Sequence, residues 1–231
     1  MAHETEKFPD FEILAELGRG TTGVVYETRN KRLNRRLALK ALLPGNDANL
    51  ELRIRQFIGE ARALAALTVQ PNANIPKIHL VADQNGQPFY AREFIEGATL
   101  EQAASRRSID LPCGLRILSS IAETVGRVHA LGIAHGNLVP SNVMVTADNC
   151  AKLIGFGKCA LLGEPKTTEG SPRASVETDT RALQQLMEWL CATLHKSLPV
   201  RLAEAQRLGS VSSPAALAQV FKICADEELL S

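Results

Sequence analysis

The chain of 231 residues has no CxxC pair and no surplus of one charge. It also lacks any uninterrupted apolar run of the ~18 residues that a membrane-crossing helix needs. Its five cysteines, Cys113, Cys150, Cys159, Cys191 and Cys224, are odd in number and far apart. That excludes a disulfide framework and a zinc site of ordinary spacing, and leaves reduced core thiols. Lys and Arg number 26 against 25 Asp and Glu, so no basic field marks a nucleic-acid partner or an anionic membrane surface. The start, MAHETEKFPD, lacks the basic and then apolar profile of a secretory signal. Neither an internal repeat nor a low-complexity tract is present. These absences point to a soluble, cytoplasmic protein with no nucleic-acid partner and no membrane insertion. What is there is globular composition: 45% hydrophobic and 22% charged residues, enough to bury a core in one large domain or two small lobes.

From Phe11 to Leu43, short alternating apolar segments separated by turn residues predict an antiparallel meander. After the polar stretch Pro44 to Asn49, Leu50, Ile54, Phe57, Ile58, Ala61, Leu64 and Ala65 recur at three- and four-residue steps, which predicts one amphipathic helix. Two more strands are expected near Ile78 to Ala82 and Pro88 to Ile95, joined by Asp83-Gln84-Asn85-Gly86, whose Asn-Gly pair suits positive φ. Past Gly97 the period becomes helical, and Leu118, Ile121, Ala122, Val125, Val128 and His129 mark a long helix ending near Gly132. Short strands are expected at Asn142 to Thr146 and Ala151 to Ile154, then a mobile polar loop from Gly163 to Thr178. A helix carrying Leu183, Leu186, Met187, Leu190 and Leu194 follows. Two short helices close the chain, over Val200 to Leu208 and Pro214 to Cys224, the second opened by Ser213 as cap with Pro214 in its first turn.

Gly18-Arg19-Gly20-Thr21-Thr22-Gly23-Val24-Val25 has the form GxGxxGxV. Glycines in that pattern let a backbone approach a phosphate while a hairpin closes over it, although plain hairpins carry the same pattern. Lys40 ends the apolar stretch Leu37-Ala38-Leu39 and by itself reads as a solvated strand end. Glu60 lies three residues after Phe57 and four before Leu64, so on a helix its carboxylate falls on the apolar face. Such a carboxylate needs a cation, because burial of an unpaired charge is costly. Lys40 is the natural partner if the helix packs on the meander; the alternative is a glutamate snorkelling at the helix margin.

Taken in order, these segments resemble a protein kinase domain of the bacterial serine/threonine type, from about Phe11 to about Leu194. The likeness extends through Pro88-Phe89-Tyr90-Ala91-Arg92-Glu93-Phe94-Ile95-Glu96-Gly97-Ala98-Thr99-Leu100. It continues through Gly132-Ile133-Ala134-His135-Gly136-Asn137-Leu138-Val139-Pro140-Ser141-Asn142-Val143-Met144 and Leu153-Ile154-Gly155-Phe156-Gly157. The resemblance implies an α+β, two-lobed fold. An N-terminal extension would cover residues 1–10, a small antiparallel β lobe with one helix 11–96, and a reduced, mainly helical large lobe 97–231. In such a domain Gly18, Gly20 and Gly23 cover the phosphates of ATP, and Lys40 points its ammonium at them while pairing with Glu60. Val25, Ala38 and Met144 would sandwich adenine, and the backbone from Glu93 to Ile95 would hydrogen-bond it. Leu64, His135 and Phe156 fall where apolar side chains linking the lobes are stacked. Asp179 resembles the aspartate that opens the central large-lobe helix and holds the catalytic-loop backbone; its carboxylate could equally cap that helix.

The departures fall on the residues that perform phosphoryl transfer. His135-Gly136-Asn137 stands where the family has HRD, and the Asn137 amide has no basic site to take a hydroxyl proton. Val139 replaces the lysine that neutralises the transferring phosphate. Gly155 replaces the aspartate that ligates magnesium, leaving Asn142 alone to meet a metal. One carboxamide is a poor cage for Mg2+, so that ion is doubtful here. The nearest acids, Asp148 in the turn between two strands and Glu164 in the loop, are not placed to substitute. Arg92 occupies the gatekeeper position beside the adenine, where a guanidinium is costly unless paired. Glu60 could reach it, competing with Lys40 and filling the back of the pocket.

No APE-like motif appears between Gly157 and Asp179, and the chain ends at Ser231, so the large lobe is expected to be truncated. Leu217, Val220, Phe221 and Cys224 form a stripe that reads as core, with uncovered apolar surface nearby suited to a protein partner or a second copy. The overall reading is a catalytically inactive kinase-like domain, a regulatory or scaffolding module that binds ATP weakly or without metal. Two alternatives stand beside it. One is an atypical active serine/threonine kinase that transfers the γ-phosphate of ATP to protein hydroxyls. The other is a scaffold whose nucleotide pocket Arg92 blocks.

Overall fold

Period-two alternation gives the first sheet two unlike faces. The computed structural model describes residues 8–20, 23–43, 50–69, 72–84, 86–161, 174–209 and 211–229. They form two compact units, the first of Met1–Pro71 with Pro76–Ile95 and the second of Asn72–Ile75 with Glu96–Ser231. In the first unit β1 (Phe11–Arg19), β2 (Val24–Asn30), β3 (Arg35–Ala41), β4 (Ile78–Gln84) and β5 (Gln87–Glu93) make one antiparallel sheet in the order β1-β2-β3-β5-β4. One face buries Val24, Tyr26, Leu37, Leu39, Ala41, Phe89 and Ala91 together with Phe8 and Phe11. The rings of Phe8 and Phe11 meet Phe89 edge-on, with centroids 5.0 and 6.0 Å apart. Phe8 is thus part of this core, although the sequence reading set residues 1–10 apart as an extension.

The opposite face carries the chemistry. Register places Val25 beside Lys40, Lys40 beside Tyr90, and Ala38 beside Arg92, so these five side chains share it. Helix α1 (Leu50–Val69) lies over that face, its Phe57 ring 5.3 Å from the Tyr90 ring. The stretch Pro44 to Asn49 lies outside the described residues. At the β4–β5 turn, the Asp83 carboxylate accepts the Gly86 N–H at 2.7 Å and Gly86 takes φ +79°; Asn85 lies outside the described residues. Strand β5 stops at Glu93, short of Ile95. Phe94 there sits under the Arg36 guanidinium, 4.2 Å from the ring centroid.

In the second unit β6 (Gly97–Thr99), β8 (Val143–Thr146) and β9 (Ala151–Leu153) form one small sheet, and β7 (Ile133–Ala134) pairs with β10 (Ala160–Leu161). The helices are α2 (Leu100–Ser105), α3 (Leu111–Ala130), α4 (Val176–Thr193), α5 (Val200–Arg207) and α6 (Pro214–Glu228). Asp110 caps α3, whose buried stripe includes Leu115, Leu118, Ile121, Ala122, Val125 and Val128, and Gly132 turns the chain out of it at φ +75°. The polar loop expected to reach Thr178 ends earlier. Ser175 caps α4 and Thr178 completes the capping box, so residues 176–178 are helical. The rest of that loop, with Glu164, lies in residues 162–173, outside those described.

Helix α6 is opened by Ser213 and Pro214 and runs to Glu228, past the expected end at Cys224. Leu217, Phe221 and Cys224 are fully buried, Val220 partly. The Ser119 hydroxyl of α3 donates to the Ala218 carbonyl at 2.8 Å. The stripe is therefore core packed on α3. All five cysteines are free; Cys191 and Cys224 are buried, and burial pushes the Cys191 thiol up to about 11. Cys150 departs from the expected core thiol. It is exposed in the β8–β9 turn, where Thr146 accepts its N–H and Asp148 its thiol. No helix among the described residues is long and apolar enough to cross a membrane.

Candidate functional site

In the first unit, the Lys40 ammonium donates to Glu60 Oε2 at 2.5 Å and the Tyr90 hydroxyl donates to Glu60 Oε1 at 2.9 Å. Glu60 is 3% exposed, so α1 holds a carboxylate in the core with a cation on one oxygen and a hydroxyl on the other. Sequence reasoning missed Tyr90. A tyrosine in an apolar strand reads as packing, and only the register opposite Lys40 reveals its hydroxyl as a ligand of Glu60.

With both Glu60 oxygens engaged, the expected contact between Glu60 and Arg92 is absent among the described residues. Arg92 turns instead to the backbone of its own strand, and its Nη1 donates to the Glu93 carbonyl at 3.2 Å. Burial pushes the Arg92 pKa down, opposed by the neighbouring Tyr90, Glu60 and Glu93; a guanidinium nonetheless keeps its proton.

The three loop glycines separate by what the fold asks of them. A β-carbon on Gly23 would strike the Ala41 carbonyl oxygen, so Gly23 is required by close strand packing. A β-carbon on Gly18 or Gly20 meets no atom within 4 Å. Gly20 N–H donates to the Gly23 carbonyl at 2.9 Å, closing the turn; Thr21 and Thr22 lie outside the described residues. Val25 is half-buried and Ala38 buried on the face that bears Lys40, and Leu64 is buried on α1. Ile95 is buried just past the end of β5.

The second unit is organised around Asp179. Its Oδ2 accepts the backbone N–H of His135 at 2.7 Å and contacts His129 Nε2 at 2.8 Å, and its Oδ1 accepts the Gly136 N–H at 2.8 Å. The cap of α4 is Ser175, and the Asp179 carboxylate bonds the backbone at 135 and 136. Burial opposes the carboxylate, but the bonds from His129, Gly136 and His135 outweigh it and hold Asp179 below the usual aspartate range. His135 is fully buried, accepts the Asn137 N–H on Nδ1 at 3.2 Å, and reaches the Ile154 carbonyl with Nε2 at 3.0 Å. Those two bonds assign Nε2 as the protonated nitrogen. The His135 ring meets Phe156 edge-on at 4.5 Å.

Around this frame lie Asn142, Gly155, Gly136 and Val139. Asn142 Nδ2 donates to the Asn137 carbonyl at 2.9 Å, which turns the carboxamide into the loop. Gly155 has φ +83°, and a β-carbon there would lie 2.5 Å from Asn142 Oδ1 and 2.6 Å from Nδ2. The carboxamide occupies the space a side chain at 155 would enter. Gly136 is the middle residue of the His135-Gly136-Asn137 triplet. Its φ is +73°, and a β-carbon would lie 2.5 Å from Ala174 Cβ and 2.6 Å from the Lys158 carbonyl oxygen. Val139 is 37% exposed and apolar. Asp148 is held in the β8–β9 turn by Thr146 and Cys150. Met144 is half-buried on β8, paired with Thr99. Among the described residues no group of three or more His, Cys, Asp and Glu could hold a metal ion.

Comparison with known proteins agrees with this arrangement. The protein kinase domain profile matches residues 11–181. A serine/threonine-protein kinase PknD of Mycobacterium tuberculosis is 32% identical over 71% of this chain and 24% of its own length. A probable serine/threonine-protein kinase PknB of Lactococcus lactis is 30% identical over 69% of this chain and 25% of its own. A serine/threonine-protein kinase D of Synechocystis is 26% identical over 93% and 46%. The chain thus spans about a quarter to a half of the length of these relatives.

Proposed function

This chain belongs to the protein kinase domain family, and from that premise we propose that it is a catalytically inactive member. In this reading the first unit binds nucleotide without metal, and the protein acts as a regulatory or scaffolding module on a protein partner. Its bacterial relatives are serine/threonine kinases, and the family's chemistry is ATP held with magnesium.

The observation that carries the proposal is the pair Asn142 and Gly155. In a working site both would face the metal, whereas here one has no side chain and the other fills the gap with a carboxamide bonded to the Asn137 carbonyl. Oxygen donors, several of them anionic, are what magnesium demands, and this pair does not fit it. Asn137 has no basic site and Val139 no charge, so the proton and the phosphate lack their partners as well. The Lys40, Glu60 and Tyr90 cluster supports retained binding, because a phosphate-facing ammonium remains held in place. Gly18 and Gly20 support it too, since nothing among the described residues requires them to be glycine.

A thermal-shift titration tests binding. Nucleotide should raise the melting temperature by the same amount in Mg2+ and in EDTA, by linkage to the folded state; a shift that appears only with Mg2+ contradicts the reading. The loop glycines give a second result. Gly18→Ala and Gly20→Ala should leave the unliganded melting temperature unchanged within a degree or so and reduce the nucleotide shift. Gly23→Ala should lower the unliganded value, because its β-carbon meets the Ala41 carbonyl.

A further inference from the structure

Arg92 makes a contact that the nucleotide reading leaves unexplained. Its Nη1 donates to the carbonyl of the next residue, Glu93. We propose that Arg92 makes the base site select a 6-oxopurine nucleotide over a 6-aminopurine one. The inference rests on the nucleotide reading above, in which the backbone from Glu93 to Ile95 meets the edge of the base.

A guanidinium carries five N–H donors and no acceptor. One of them already sits on the Glu93 carbonyl, the acceptor an exocyclic amine would need. An adenine amine brought to that carbonyl must share it with Arg92 and meets a cation whose other N–H groups also donate. A base with an oxygen at C6 reverses the match. O6 and N7 of guanine or hypoxanthine are two acceptors spaced for the guanidinium fork, and the Glu93 carbonyl stays satisfied by Arg92.

The surroundings keep the arginine available for that role. Among the described residues the Arg92 guanidinium bonds the Glu93 carbonyl and not Glu60, whose oxygens meet Lys40 and Tyr90. Its cross-strand neighbour on β3 is Ala38, the smallest side chain with a β-carbon. Arg92 as a residue is half-buried.

Binding of ATP, GTP and ITP to the native protein and to Arg92→Met, measured by calorimetry in EDTA, tests the proposal. GTP and ITP should bind the native protein at least about 10-fold more tightly than ATP, the discrimination a bidentate arginine gives. The agreement of GTP with ITP excludes the 2-amino group as the source of the preference, and Arg92→Met, which leaves the backbone beside the base unchanged, should reverse it. Arg92→Gln, which removes the charge and keeps an amide donor, serves if the methionine variant does not fold, and should abolish the preference. ATP binding the native protein as tightly as GTP, or a ratio that neither variant moves, overturns the inference and leaves the nucleotide reading standing. Native protein that binds none of the three while Arg92→Met binds ATP also overturns it, because the arginine then closes the site. If no nucleotide binds any of the proteins, both readings fall together.

Discussion

Asp179→Ala should lower the melting temperature by roughly 6–20 °C. The change leaves the buried N–H groups of His135 and Gly136, and the His129 ring, without their shared acceptor. Removing one partner from such a buried charged network costs about 3–5 kcal/mol, and a chain of this size shifts by about 2–4 °C per kcal/mol. Asp179→Asn keeps one acceptor oxygen and should lose less. The charge also sets a pH dependence. Because the folded-state pKa of Asp179 is depressed, its stabilisation is complete above the ordinary aspartate range and is lost as pH falls through the lower folded value. Acid unfolding below about pH 4, followed by circular dichroism, should therefore be steeper in the native protein than in Asp179→Asn. Equal acid profiles, or a melting temperature unmoved by alanine, would show that the carboxylate does not hold this loop.

Lys40→Met should be nearly as damaging, and for the same class of reason. Glu60 is 3% exposed, and without the ammonium its carboxylate keeps, among the described residues, the Tyr90 hydroxyl as its hydrogen-bond donor. An uncompensated buried charge costs about 3–5 kcal/mol. Urea unfolding should show a lower midpoint with an unchanged slope. Adding Glu60→Gln to Lys40→Met should recover part of the loss, because the double variant no longer buries a charge. If Lys40→Met unfolds at the native midpoint, the pair is a surface contact and this view of the cluster is wrong.

Periodicity made the faces legible and left the partners dark. Three- and four-residue spacing put Glu60 on the same side as Phe57 and Leu64, and a buried carboxylate called for a cation, so Lys40 could be named before any coordinates. Ser213 and Pro214 likewise mark the start of α6 through capping chemistry that acts within one turn. Tyr90 was illegible because its role depends on which strand lies beside which. The partner of Arg92 was illegible for a different reason. It is a backbone carbonyl, which every residue has, whereas charge alone favours Glu60, whose oxygens meet Lys40 and Tyr90.

The same limit applies to the glycines. Gly155 reads in sequence as a side chain lost, and Gly136 only as the middle of a triplet. The geometry adds that Asn142 lies in the space a β-carbon at 155 would take, and Ala174 with the Lys158 carbonyl in that at 136. An aspartate written back at 155 would have to displace the Asn142 carboxamide from its bond to the Asn137 carbonyl while adopting a φ near +83°. The departure is built into the packing of the loop.

The central claim is that this kinase-family chain holds nucleotide and does not transfer phosphate. The most direct test is transfer of the labelled γ-phosphate of ATP and GTP to itself and to generic serine and threonine substrates, with Mg2+ and with Mn2+. Loss of the catalytic base alone costs about 10²–10⁴-fold, and the missing metal ligand adds to that, so the account predicts no transfer above the protein-free control. Transfer that is robust in the native protein and lost in Lys40→Arg, which keeps a cation for Glu60, would contradict it.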